Sequence, residues 1–257
     1  MKEFFGFGTG KYPYGAPADG YMSWQHLVFV SSFVAIAIAL GIILGLRNRK
    51  KEDKIKNVVL IWTAIIIDAF EIIKIIIGSI HTPTFWKTSL PLFLCSIQLI
   101  TIPLAAFCKG RLKEASLDFV FIFGMLGGLV GVYGMALNYN TYPTLSWPNF
   151  VSALTHTISL FAAVYIVVSG MASMKKENII ITCGIVLGFS IVAYIANIIL
   201  DYNYMFLMRT DGTPYKIFYQ MVGGNKVLYP IVVVVLFFLY LSVFYLVFFL
   251  IKRKKEK

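Results

Sequence analysis

Residues 231–251 read IVVVVLFFLYLSVFYLVFFLI, aliphatic or aromatic at every position except Ser242. A transmembrane strand would alternate apolar and polar side chains over about 10 residues. Here every face of the segment is apolar, which suits a helix. At about 1.5 Å of rise per residue, a run of about 20 such residues crosses the hydrocarbon of a bilayer. The rest of the chain follows the same pattern. It is 59% hydrophobic and 14% charged, with a mean hydropathy of +0.79, too apolar to cover itself with a polar surface in water. Further runs of spanning length lie at 24–46, 57–79, 90–108, 117–137, 149–171 and 178–200, and the last run extends over 228–251. The expected fold is therefore all-α: a polytopic bundle of seven transmembrane helices forming a single membrane domain over 1–257, multi-pass in the cell (plasma) membrane. No internal repeat or second domain is visible.

Basic residues set the expected orientation, because cytoplasmic loops retain Lys and Arg. Arg47, Arg49, Lys50, Lys51, Lys54 and Lys56 follow the first run; Lys109, Arg111 and Lys113 follow the third; Lys175 and Lys176 follow the fifth. The tail adds Lys252, Arg253, Lys254, Lys255 and Lys257. The opposite loops carry only scattered cations, so the N-terminus is expected outside and the C-terminus in the cytoplasm. The formal net charge of +11 is then mostly juxtamembrane charge facing anionic lipid, and no nucleic-acid partner is expected. The glycine-, tyrosine- and proline-rich start, followed by a long apolar run with a basic flank, does not read as a cleavable signal. Cys95, Cys108 and Cys183 are widely spaced and suggest neither a zinc ligand set nor a disulfide framework.

Depth singles out the residues of interest. His26 lies just inside the first run, Cys95 about a turn and a half into the third and His156 about two turns into the fifth, each counted from the outer end. The second run carries Asp68, Glu71 and Lys74 beyond its midpoint, at a spacing of three that brings each within reach of the next. The sixth ends outside with Asn197 and Asp201, followed by Asn203. A one-sided polar layer of this kind predicts a cavity open to the outer leaflet, since polar groups in hydrocarbon are costly and usually functional or paired. Duller readings stand beside it. A buried Cys is usually a small hydrophobe, a lone His in a bundle usually bonds a carbonyl, and the ionic cluster serves equally well to fix helix packing. The aromatic, Met-rich connection 201–227 reads either as a lid over the site or as an interfacial belt.

The segments HLVFV (26–30), LPLFLC (90–95), FGMLGGLVGV (123–132), YPTLSWPNFVSALTH (142–156) and NYMFL (203–207) resemble the YwaF family of integral membrane proteins, whose eukaryotic relative is transmembrane protein 164. The resemblance implies a membrane-embedded lipid acyltransferase in which the Cys of the third helix accepts an acyl chain as a thioester. By motif, Cys95 would be the nucleophile, His156 the base and His26 a third site residue. Such chemistry is reasonable from the residues alone: a thiol, a base and a donor for the oxyanion suffice. Gln98, Asn203 or Tyr204 are the candidate donors, and Asp68, Glu71, Asn197, Asp201 and Arg209 complete the expected substrate-binding set. No metal or cofactor is required, and the expected partners are phospholipids or lysophospholipids. An acyl-hydrolase would use the same groups. A small-molecule transporter or a substrate-binding membrane subunit would use the same cavity without covalent chemistry, with the carboxylates and Lys74 as ligands. A zinc hydrolase would need a His set absent from the last run, and a retinal protein would need a Lys between 228 and 251.

Overall fold

The computed structural model describes residues 1–134 and 136–255, without the side chains of 252, 254 and 255. The last two residues of the basic tail, including Lys257, lie outside the described residues. In chain order the helices are α1 (Trp24–Asn48), α2 (Asp53–His81), α3 (Gln98–Phe107), α4 (Gly110–Tyr133), α5 (Ala136–Thr141), α6 (Trp147–Val168), α7 (Lys176–Leu200), α8 (Lys216–Met221) and α9 (Leu228–Lys255). Short 3-10 turns occur at Phe85–Thr88 and Tyr204–Phe206. No strand occurs among the described residues.

Five helical segments among the described residues are long and apolar enough to cross a membrane: α1, the stretch Gly110–Thr141 (holding α4 and α5), α6, α7 and α9. Two of the seven expected spans do not meet that standard. Over 29 residues α2 is long enough, but Asp68, Glu71 and Lys74 break its apolar run. α3 is only 10 residues long and starts at Gln98 instead of residue 90.

The missing part of α3 has a local cause. Pro91 has no N–H to give and biases Leu90 away from helical geometry. The Ser96 hydroxyl accepts from the Phe93 N–H at 3.1 Å and reaches the Phe93 carbonyl at 3.2 Å, offering the backbone a turn in place of a helix. The Phe93 ring packs against Tyr202, Tyr204 and Phe206 at centroid distances of 5.1–6.2 Å. Cys95 therefore sits in a turn ahead of α3, not within a helix.

α4 and α6 form the centre of the bundle, with α1 and α2 against α6 and α3 between α2 and α4. Small residues allow these close approaches, as is common where helices meet in lipid. A side chain on Gly41 or Gly45 of α1 would run into Val164 or Val168 of α6. Leu60, Ala64 and Ile67 of α2, Ile102 and Ala105 of α3, Val120 of α4 and Ala162 and Ile166 of α6 form a buried apolar cluster. At the basic end, Asn48 donates to the Tyr165 hydroxyl at 3.1 Å, which donates to the Lys56 carbonyl at 3.0 Å. This chain of bonds ties α1, α6 and α2 together.

Candidate active site

The surface on which the site is built is the glycine segment of α4. Gly124 and Gly128 face α6, where an added Cβ would meet the Ser159 carbonyl oxygen at 2.7 Å and the Leu160 Cβ at 2.5 Å. Gly127 and Gly131 serve a different purpose. A Cβ on Gly127 would touch Cys95 Cβ at 3.3 Å, and one on Gly131 would enter the space of the His156 imidazole. Residues four apart share a helix face one turn from each other, so Cys95 and His156 occupy neighbouring places on one face of α4. The Gly127 backbone also faces the His156 ring. Both residues are half-buried.

α2 brings charge to this place. Lys74 Nζ lies 2.5 Å from Glu71 Oε1, and the Glu71 side chain is about one-tenth exposed. The charge of Lys74 reaches both Cys95 and His156, and that of Glu71 reaches Cys95. Asp68 is half-buried one turn before Glu71 and feels its charge. The backbone N–H groups of Cys95 and Ser96 face the sulfur. Gln98, fully buried on the first turn of α3, follows Cys95 by three residues. A thiol, an imidazole and an ammonium–carboxylate pair thus gather between α2, α4 and α6, with a buried carboxamide three residues on from the thiol. Among the described residues, no three His, Cys, Asp or Glu side chains gather to hold a metal ion.

His26 makes different contacts. Its Nδ1 accepts from the Met22 N–H at 3.1 Å and its Nε2 contacts the Val132 carbonyl at 3.2 Å. An acceptor at Nδ1 fixes the tautomer, so Nε2 must donate. The ring also packs on Tyr139 at 3.9 Å between centroids. With both nitrogens engaged, His26 anchors the start of α1 to the end of α4, next to Gly131.

The expected residues at the end of α7 and after it hold the 201–227 connection in place. Asn197 Nδ2 donates to the Tyr204 carbonyl at 3.0 Å while its Oδ1 accepts the Tyr204 N–H at 2.6 Å. Asn203 Oδ1 accepts from the N–H groups of Met208 and Arg209, and its Nδ2 donates to the Arg209 carbonyl at 2.8 Å and to Asp211 at 2.7 Å. The Tyr204 hydroxyl donates to the Lys87 carbonyl and accepts from the Leu90 N–H at 3.3 Å. This pins the segment leading to Cys95 under the 201–227 connection. Asp201 is the exposed left-handed cap of α7, with φ of 50°, a conformation Asp tolerates. The Arg209 side chain reaches outward to Asp211 at 3.6 Å. The amides of Asn197 and Asn203 and the Tyr204 hydroxyl are thus committed to this scaffold, apart from the Cys95 group.

Sequence reasoning missed a second buried polar cluster, at the basic end. Asp118 of α4 is fully buried and accepts from the Met174 and Ser173 N–H groups at 2.9 and 3.2 Å, from Asn178 Nδ2 at 2.8 Å and from the Tyr245 hydroxyl at 3.1 Å. It joins α4 to α7, α9 and the 169–175 connection. The signal was a lone carboxylate one residue inside the expected fourth span.

No curated protein and no solved structure matches the chain. The family model of the TMEM164 family matches residues 21–251, a range that contains the five apolar spans and every residue of the Cys95 group. The chain is an integral membrane protein of the TMEM164 family.

Proposed function

We propose that the protein is a membrane-embedded Cys/His lipid acyltransferase or acyl-hydrolase, acting on phospholipid acyl chains from the outer leaflet of the cell membrane. The reading includes seven crossings, with α2 and the segment leading into α3 completing the set, an outer N-terminus and a cytoplasmic C-terminus. The observation that carries it is the paired contact of Cys95 and His156 with Gly127 and Gly131. That juxtaposition is what a nucleophile and its base require. His156 takes the thiol proton as Cys95 sulfur attacks the ester carbonyl, then returns it to the leaving alcohol oxygen, and the acyl chain stays on Cys95 as a thioester. A second alcohol or water reverses the sequence and releases the acyl group. Lys74, held by Glu71, places positive charge beside the developing thiolate. His26 acts as a positioning residue through α4.

Intact-protein mass spectrometry with and without hydroxylamine tests this reading. The purified protein is expected to carry, or to take up from phospholipid vesicles, an acyl mass that hydroxylamine removes. Cys95→Ala abolishes it, and Cys95→Ser leaves at most a trace, because a hydroxyl is far less ionised than a thiol. His156→Ala slows uptake by about 10² to 10⁴-fold, and Cys108→Ala and Cys183→Ala behave as wild type. Full acyl exchange by Cys95→Ala would move the assignment to a transporter that uses the same polar layer without covalent chemistry.

A further inference from the structure

Gln98 is the member of the Cys95 group whose fully buried side chain leaves a donor unpaired. Its Oε1 is held by the Thr101 hydroxyl at 3.1 Å, and its Nε2 has no partner. Buried N–H donors are nearly always paired. Among the described residues, the Trp147 indole is the only other side-chain N–H left so, and it lies at the start of α6, beneath the N-terminal segment that bonds to its backbone.

The position of Gln98 relative to Cys95 follows from the backbone. Ser96 and Ile97 N–H groups both bond back to the Phe93 carbonyl at 3.0 Å, and Leu99 and Ile100 bond to Ser96 and Ile97 at 3.0 and 2.9 Å. The chain therefore turns helically from Cys95 into α3, and residues three apart on such a path share a face. The carboxamide stands on the same side as the thiol, in a place closed to water, where a hydrogen bond to a developing charge is strongest.

We propose that the Gln98 carboxamide N–H is the oxyanion donor of the Cys95 reaction, acting together with the Cys95 backbone N–H on the oxygen of the ester carbonyl. The assignment rests on the acyl-transfer reading above. When the Cys95 sulfur bonds to the carbonyl carbon, the π pair moves to oxygen and the thiol proton passes to His156. The oxyanion then accepts from Gln98 Nε2. On collapse the pair returns, the C–O bond to the leaving alcohol breaks, and His156 protonates that oxygen. The other amide candidates are excluded by their partners: Asn197 and Asn203 donate to backbone carbonyls of the 201–227 connection. The Tyr204 hydroxyl donates to the Lys87 carbonyl.

Two reactions of the same sulfur separate this role from a structural one. Acylation by 4-nitrophenyl decanoate passes through an oxyanion, whereas alkylation by iodoacetamide does not. With the full-length protein in micelles, Gln98→Met keeps the side-chain length and removes the donor. It is expected to slow Cys95 acylation by about 10² to 10³-fold while leaving the alkylation rate within about twofold. Gln98→Ala gives the same pattern, and His156→Ala slows both reactions. Equal slowing of acylation and alkylation by both Gln98 variants, or slowing of neither, overturns the assignment. Failure of the acyl-transfer reading has a different signature: wild-type Cys95 is alkylated but never acylated, and the assignment falls with it.

Discussion

α4 carries two buried polar groups of opposite character. At its basic end, Asp118 meets two backbone N–H groups, one carboxamide and one phenol, so its acceptor capacity is well filled. Two turns and more along the same helix, Gly127 and Gly131 leave room for Cys95 and His156, and the adjoining Gln98 keeps an unbonded N–H. A filled network rigidifies and joins elements. An unfilled one costs stability and persists where a ligand completes it. The difference sets a structural joint apart from the proposed reaction site without reference to residue type, since Asp118 is chemically the more conspicuous residue of the two groups.

The largest expected effect breaks the joint. Asp118→Leu removes the acceptor shared by four donors in a dry place, and breaking a buried polar joint of this kind costs about 3 to 5 kcal/mol of stability. Thermal unfolding in detergent reads this loss directly, while the alkylation rate of Cys95 in the remaining folded protein should hold. A loss below about 1 kcal/mol would deny the cluster its structural role.

A smaller change attacks the site. Gly131→Ala puts a methyl where the His156 ring lies, and overpacking of this kind costs about 1 to 3 kcal/mol while displacing the imidazole from the thiol. Acyl uptake by Cys95 should fall as far as in His156→Ala. Gly184→Ala on α7 is the matching control: nothing lies within 4 Å of its added Cβ, so it should be neutral or stabilise by up to about 1 kcal/mol. Normal activity in Gly131→Ala would separate His156 from the chemistry.

These outcomes bear on what the sequence reveals. Helical membrane class was legible because hydropathy is a property of whole runs, and 231–251 alone excludes a strand. Cys95 and His156 were singled out together by counting residues inward along their apolar runs, although Cys95 lies in a turn ahead of α3. The break before Gln98 was not legible: LPLFLCSIQL carries no charge and is mostly apolar, and the turn is set by Pro91, Ser96 and the edge-on packing of Phe93 on a loop more than 100 residues away. Polar residues also look alike until their partners are known. Asn203 and Gln98 read as equal oxyanion candidates, yet one carboxamide is spent on loop backbone and the other is half free. The glycines of FGMLGGLVGV were visible as a motif, but what each one touches is a property of the packed bundle.

Tyr204→Phe probes the 201–227 connection with a gentler change. It removes the hydroxyl shared by the Lys87 carbonyl and the Leu90 N–H, for a loss of about 0.5 to 1.5 kcal/mol. Hydrogen exchange of the Leu90 amide should accelerate, and Cys95 should react faster with a bulky maleimide, because the segment above it loosens. Unchanged exchange would mean that Phe93 packing alone holds the segment.

The smallest effect concerns Arg209. Its ion pair with Asp211 spans 3.6 Å between side chains about half exposed, and pairs of that kind contribute within about 0.5 kcal/mol. Its backbone, not its side chain, carries the bonds to Asn203. Arg209→Ala should therefore leave thermal stability and the alkylation rate of Cys95 unchanged. If the guanidinium meets a lipid phosphate at the mouth of the site, the Michaelis constant for phospholipid should rise several-fold with kcat preserved. An unchanged Michaelis constant would remove Arg209 from substrate contact and confine recognition to the buried group around Cys95, where Lys74 is then the cation left to meet the headgroup.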